Sequence, residues 1–88
     1  MVLLSRERAY RVRALVTVAP VTRTVWGIPV EVPLGPADGM PHRCVTNLDN
    51  IQTIGLAQLD RRITQLSPAR MREVARAIFF ALGLDQDL

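Results

Sequence analysis

The chain reads as mainly β with one C-terminal helix (α+β). Its short strands are expected to form a small, strongly bent antiparallel sheet or barrel whose open end the helix covers. Three observations predict this. Apolar residues recur with period two before residue 55, the spacing turns helical after residue 67, and Gly, Pro, Asp and Asn punctuate the strand candidates. The 88 residues allow a single domain with a modest core, and an apolar content of 49% excludes general disorder.

Taken in order, Val12, Ala14, Val16 and Val18 alternate with Arg13, Leu15 and Thr17, which gives a strand with one apolar face. Ile28, Val30, Val32 and Leu34 alternate with Pro29, Glu31 and Pro33. Two prolines facing the same way remove ladder donors, so this segment is expected at a sheet edge or as a bulged strand. Residues 35–41 (GPADGMP) form a loop. Residues 44–48 and 51–54 are short strands divided by Asp49 and Asn50, a pair suited to a tight turn. Residues 61–66 give one more short strand.

Ser67 is a good N-cap and Pro68 suits the first helical position. Met71, Val74, Ala75, Ile78 and Leu82 then mark the core face, and Gly83 ends the helix. Glu73 and Arg76 are spaced to pair on the wet side. Phe80 stands across the helix from Met71, exposed either incidentally or for contact with another chain.

No apolar run reaches the roughly 20 residues of a membrane helix. Residues 2–4 are too short an apolar stretch for a signal peptide, so a cytoplasmic setting is expected. Cys44 is the only cysteine and has no internal partner for a disulfide or zinc site. All 11 basic side chains are arginine, and eight acids leave a net charge of +3. Arg6, Arg8, Arg11, Arg13 and Arg23 face only Glu7 within residues 1–26. A basic end on a small domain suits a polyanion such as RNA or DNA, and also suits plain solubility.

No glycine-rich phosphate loop, Cys/His metal spacing or GxSxG elbow is present, and no cofactor is implied. His42 and Cys44 lie two residues apart, but a catalytic cysteine also needs an oriented base and a pocket. The plainer expectation is a solvent-facing histidine and a small core cysteine. Hydroxyls, amides and guanidinium groups remain. They suit phosphodiester chemistry in which RNA supplies its own 2′-hydroxyl nucleophile, and the protein aligns it and neutralises the phosphate. Thr22, Arg23 and Thr24, following Pro20, offer such a set, although the same triplet also reads as a polar turn.

An ordered series of segments carries a resemblance. It runs VLLS from Val2, TVAPVT from Thr17, GIPVEV from Gly27, VTNLDNIQTI from Val45, Arg62 with Ile63, and LSPARM from Leu66. It spans residues 2–84 and resembles the MazF/PemK toxins, growth-inhibiting endoribonucleases of toxin–antitoxin pairs. The resemblance implies a single domain over 1–88, an SH3-like barrel of the MazF and gyrase-poison type. Strands would occupy about 2–66 and the helix about 67–83. It implies a homodimer, metal-independent cleavage of single-stranded RNA at short motifs, and inhibition by a cognate antitoxin whose disordered tail lies over the RNA groove.

The same resemblance assigns roles. Thr22 matches the family's catalytic threonine, which hydrogen-bonds the scissile phosphate. Arg23 and Arg6 are candidate electrostatic helpers in catalysis, with Arg43 a further source of charge. Asp49, Asn50 and Gln52 match a groove-lining segment that reads bases, although Asp49 and Asn50 equally build a turn. Thr24 lies beside Thr22 as an RNA contact. Trp26 is placed to stack on a base, to plug the barrel edge or to enter the dimer contact.

One departure is expected to matter. Family members carry a strand, a covering loop and a catalytic Arg-Pro ahead of the strand that here is residues 2–5, and this sequence begins at Met1. An N-terminally truncated toxin, or a start further upstream, follows from the resemblance. The truncated form would be a less active remnant that still dimerises or binds antitoxin, with an unpaired sheet edge prone to aggregation. A gyrase-poisoning toxin of the same fold is the other alternative.

Overall fold

Alternation over residues 15–19 becomes strand β2 (Leu15–Ala19), with Val16 and Val18 buried and Leu15 turned outward. The computed structural model describes residues 1–4, 14–59 and 64–84. The other strands are β1 (Val2–Leu3), β3 (Val21–Thr22), β4 (Glu31–Leu34), β5 (Cys44–Asn47) and β6 (Gln52–Gly55), followed by helix α1 (Pro68–Ala81). Single 3-10 turns form at Pro36–Asp38, Leu48–Asn50 and Leu56–Gln58. Among the described residues every strand pair is antiparallel, in two three-stranded sheets ordered β1-β2-β6 and β3-β5-β4. The expected class, mainly β with a C-terminal helix, is the one observed.

The chain crosses between the sheets at two corners. Pro20 has no N–H to continue a ladder, so β2 ends there and the chain re-enters the second sheet as β3. The Pro20 carbonyl accepts from the Asn47 amide and from Thr46 Oγ1, each at 3.1 Å. Thr46 is wholly buried, and its hydroxyl belongs to this corner. Thr46→Val removes that bond but leaves the carbonyl paired. A stability loss of about 1 kcal/mol is expected in a denaturant melt.

The second corner is the tight turn expected at Asp49 and Asn50, and it joins the two sheets. Asp49 and Asn50 do not join a pair of neighbouring strands, because β5 pairs with β3 and β4 while β6 pairs with β2. They sit in a 3-10 turn. Asn47 Oδ1 accepts from the Asp49 amide at 2.8 Å, and the Leu48 amide donates to the Val30 carbonyl at 2.9 Å. Leu48, 1% exposed, plugs the core from this turn.

Two strand expectations shift. Ala14 has φ +56 and is exposed, so the apolar face begins at Val16. Ile28 and Pro29 stay outside β4, which starts only at Glu31. Glu31, which alternates with the apolar residues of this segment, is buried as Val30, Val32 and Leu34 are. Val12 and residues 61–63 lie outside the described residues, and 64–66 form no strand.

Ser67 Oγ accepts from the Arg70 amide at 3.1 Å, and Pro68 takes the first helical position, as expected. At the other end Gly83 adopts φ +71. Its amide donates to Phe80 O and that of Leu84 to Phe79 O, the paired bonds of a Schellman closure. The buried stripe differs from the expected one. Val74 and Ala77 are buried and Ile78 half-buried, whereas Ala75 and Leu82 face outward and Met71 is 37% exposed.

Arg70 explains the rotation. It shares a side with Val74 and Ala77 at spacings i, i+4 and i+7. Its Nε reaches Asp38 Oδ1 at 3.0 Å and one terminal nitrogen reaches Oδ2 at 3.3 Å. This fork draws that side of the helix onto the Pro36–Asp38 turn. Glu73 accordingly pairs with Arg70 at 2.6 Å rather than with Arg76.

The Arg70 guanidinium, then a bond from the Gly35 amide, hold the Asp38 carboxyl below its ordinary range. A depressed folded-state pKa gives stability that is present above the unfolded value of about 3.9. That stability is lost as pH falls through the folded value. Thermal melts are therefore expected to find Asp38→Asn about 1 kcal/mol less stable at neutral pH. The gap from wild type should close below about pH 4.

Candidate functional site

Strand pairing places the sequence-predicted threonine. Thr22 lies opposite Val45, and Val45 lies opposite Pro33, so these three form one cross-strand row. Asn47 and Glu31 form the next row on the same face. The opposite face carries Thr46, Val32, Leu34 and Cys44, and the last three belong to the cluster packed with α1. Thr22 is therefore on the sheet face opposite the one that packs in the core cluster with α1. It is half-buried, and its Oγ1 accepts from the Thr24 amide at 3.1 Å. That bond fixes the hydroxyl oxygen and leaves its proton available to an acceptor outside the turn.

Arg23 does not share this side. With Val21, Met40, Pro41, His42 and Cys44 it lines a cavity of about 150 Å³, while Thr22 alternates to the other side of the strand. His42 is exposed and Cys44 is 6% exposed, the plainer of the two expectations for that pair. Burial, and more weakly the Asp38 charge, push the Cys44 thiol up, away from a reactive thiolate. Arg43 is exposed immediately before β5, two residues from Val45. Arg6 lies outside the described residues. Among the described residues no group of three or more His, Cys, Asp or Glu is gathered to hold a metal.

The loop from Thr22 to β4 carries Thr24 and Trp26, both exposed. Trp26 is 74% exposed, so it does not plug the barrel edge. What shapes the loop is Glu31, at the start of β4. The Glu31 carboxylate accepts from the Gly27 amide at 2.8 Å, from Trp26 at 3.1 and 3.2 Å, and from Ile28 at 3.4 Å. The available signal was a lone acid in an apolar strand just after a Gly turn.

Asp49, Asn50 and Gln52 are all exposed, as base-reading residues must be. They lie beyond Asn47, at the corner where the chain leaves the Thr22 sheet, and Gln52 already pairs with Val18 in the other sheet. Thr22 and the corner residues thus flank the Pro20 junction. A second concavity of about 600 Å³ lies between β4 and α1, with Glu31, Pro33, Arg70, Arg76, Phe79 and Phe80 among its walls.

Two small antiparallel sheets with one C-terminal helix define a compact α+β scaffold with Thr22 half-buried at a strand end. The family described as PemK-like, MazF-like toxin of type II toxin–antitoxin system matches residues 1–82. The chain belongs to this family. It is 38% identical over 85 residues to endoribonuclease MazF3 of Mycobacterium tuberculosis, covering 97% of this chain and 82% of that protein. Among solved structures it resembles the Mycobacterium tuberculosis toxin MazF-mt6, with a TM-score of 0.87 and 36% identity, covering 93% of this chain and 83% of that one. It also resembles a mycobacterial endoribonuclease in complex with its cognate antitoxin, with a TM-score of 0.82 and 34% identity over 93% and 78% of the two chains.

Proposed function

We propose that this chain is the toxin of a type II toxin–antitoxin pair, an endoribonuclease that cuts single-stranded RNA and thereby inhibits growth. The carrying observation is the family match over residues 1–82, with Thr22 standing accessible at the end of β3. In the proposed reaction the RNA 2′-oxygen attacks the adjacent phosphorus. The O2′–P bond forms, the P–O5′ bond breaks, and the proton lost from the 2′-hydroxyl is balanced by one delivered to the departing 5′-oxygen.

Thr22 Oγ1–H donates to a non-bridging phosphate oxygen, whose charge grows in the transition state. Arg6 supplies positive charge to the RNA backbone, and Arg23, across the strand from Thr22, adds charge only at a distance. Thr24, Trp26, Asp49, Asn50 and Gln52 hold the single strand and read its bases. The partners proposed are RNA, a second copy of the chain and a cognate antitoxin, the last supported by the related mycobacterial complex. The setting proposed is the cytoplasm, where such RNA is found; no helix among the described residues is long and apolar enough to cross a membrane.

Mixed-sequence single-stranded RNA incubated with the purified chain in EDTA is expected to yield fragments ending in 2′,3′-cyclic phosphate. Intact RNA would overturn the reading. Gyrase inhibition by the same sample would replace it with the gyrase-poisoning alternative, which the endoribonuclease names of the relatives do not favour.

A further inference from the structure

We propose that Glu31 is a positioning residue, whose buried carboxylate sets the shape of the loop over residues 23–30 and so presents Trp26 to single-stranded RNA beside Thr22. The RNA part rests on the ribonuclease reading; the loop part rests on geometry alone.

A carboxylate 9% exposed is costly unless its charge is compensated. No guanidinium among the described residues forms an ion pair with Glu31. The compensation comes from three successive backbone amides, those of Trp26, Gly27 and Ile28. Consecutive N–H groups curled around one anion form a backbone nest, which needs an unusual dihedral within it. Gly27 supplies that at φ +71. The Glu31 amide then closes the turn by donating to Ile28 O at 3.0 Å.

Packing does little to hold this loop. Val25, Trp26 and Ile28 are 60%, 74% and 42% exposed. Its shape therefore follows from the acid at its base. Glu31 shares a sheet face with Thr22, and the loop starts at the residue after Thr22. An indole held outward there is a stacking plate whose ordering cost is met before RNA arrives.

The test uses the full chain, and Trp26, the only tryptophan, is its own probe. In Glu31→Gln without RNA, Trp26 anisotropy should fall and acrylamide quenching should rise, with the far-UV circular dichroism unchanged. With mixed-sequence single-stranded RNA, KM should rise about tenfold and kcat should change by less than about twofold. Trp26→Ala should raise KM equally, and the double variant no further. Gly27→Ala is a second route if Glu31→Gln fails to fold. A Cβ at Gly27 meets no atom within 4 Å, so it strains only the nest and should give the same KM defect.

Unchanged Trp26 anisotropy, an unchanged KM, equal losses in KM and kcat, or additive KM effects would each overturn the proposal. Wild-type protein that leaves RNA intact would sink the ribonuclease reading instead, and the anisotropy would then decide the loop's dependence on Glu31 by itself.

Discussion

Thr22→Val is expected to lower kcat for RNA cleavage by about 100- to 1,000-fold, the usual cost of removing one donor aimed at developing oxyanion charge. KM should change little, because the donated bond strengthens only as charge builds on the phosphate. The substitution also removes the acceptor for the Thr24 amide, so the loss alone would not separate chemistry from local order. Thr22→Ser resolves this, since it keeps both the donor and the acceptor and should retain activity within about tenfold. Single-turnover cleavage of one defined RNA measures both variants. A Thr22→Val protein that cleaves as fast as wild type would remove Thr22 from the chemistry.

Leu48→Ala is expected to cost about 2–5 kcal/mol, by lost burial and by the cavity left behind. A domain of this size holds roughly 5–10 kcal/mol in total, so the variant should lose a large share of its stability margin. Leu48 is 1% exposed and packs in the cluster that includes Val32, Leu34 and Val74. It also sits in the turn that carries Asp49 and Asn50. The expected signature is a collapsed urea midpoint, together with lost RNA affinity in whatever fraction still folds. A midpoint within about 1 kcal/mol of wild type would mean that the corner collapses to fill the space.

Strand and helix identities were legible because period is a local property. Val16 and Val18 announce β2, and Ser67, Pro68 and Gly83 bracket α1. Pairing partners were not legible. Nothing local in Asp49 and Asn50 says that β5 and β6 belong to different sheets, since that depends on Pro20, about 30 residues earlier, having ended β2. The helix face was misjudged for a similar reason. Periodicity weighs Ala75 and Leu82 as apolar, but the ion pair from Arg70 to Asp38 in another segment decides which side turns inward. Glu31 was hidden most completely. Only the fold brings three amides to its carboxylate. For the candidate site, the resemblance nominated Thr22, whereas no pattern in the sequence nominated Glu31, whose carboxylate takes the loop amides.

Because the strand broken at Pro20 serves both sheets, neither sheet has an independent melting boundary along that strand. Amide protons of Val18 in one sheet and Thr46 in the other should exchange with deuterium through the same cooperative opening. Thr22 at the strand end would then move only when the whole molecule lets go, so the placement of its hydroxyl would be lost all at once on heating rather than by gradual loosening.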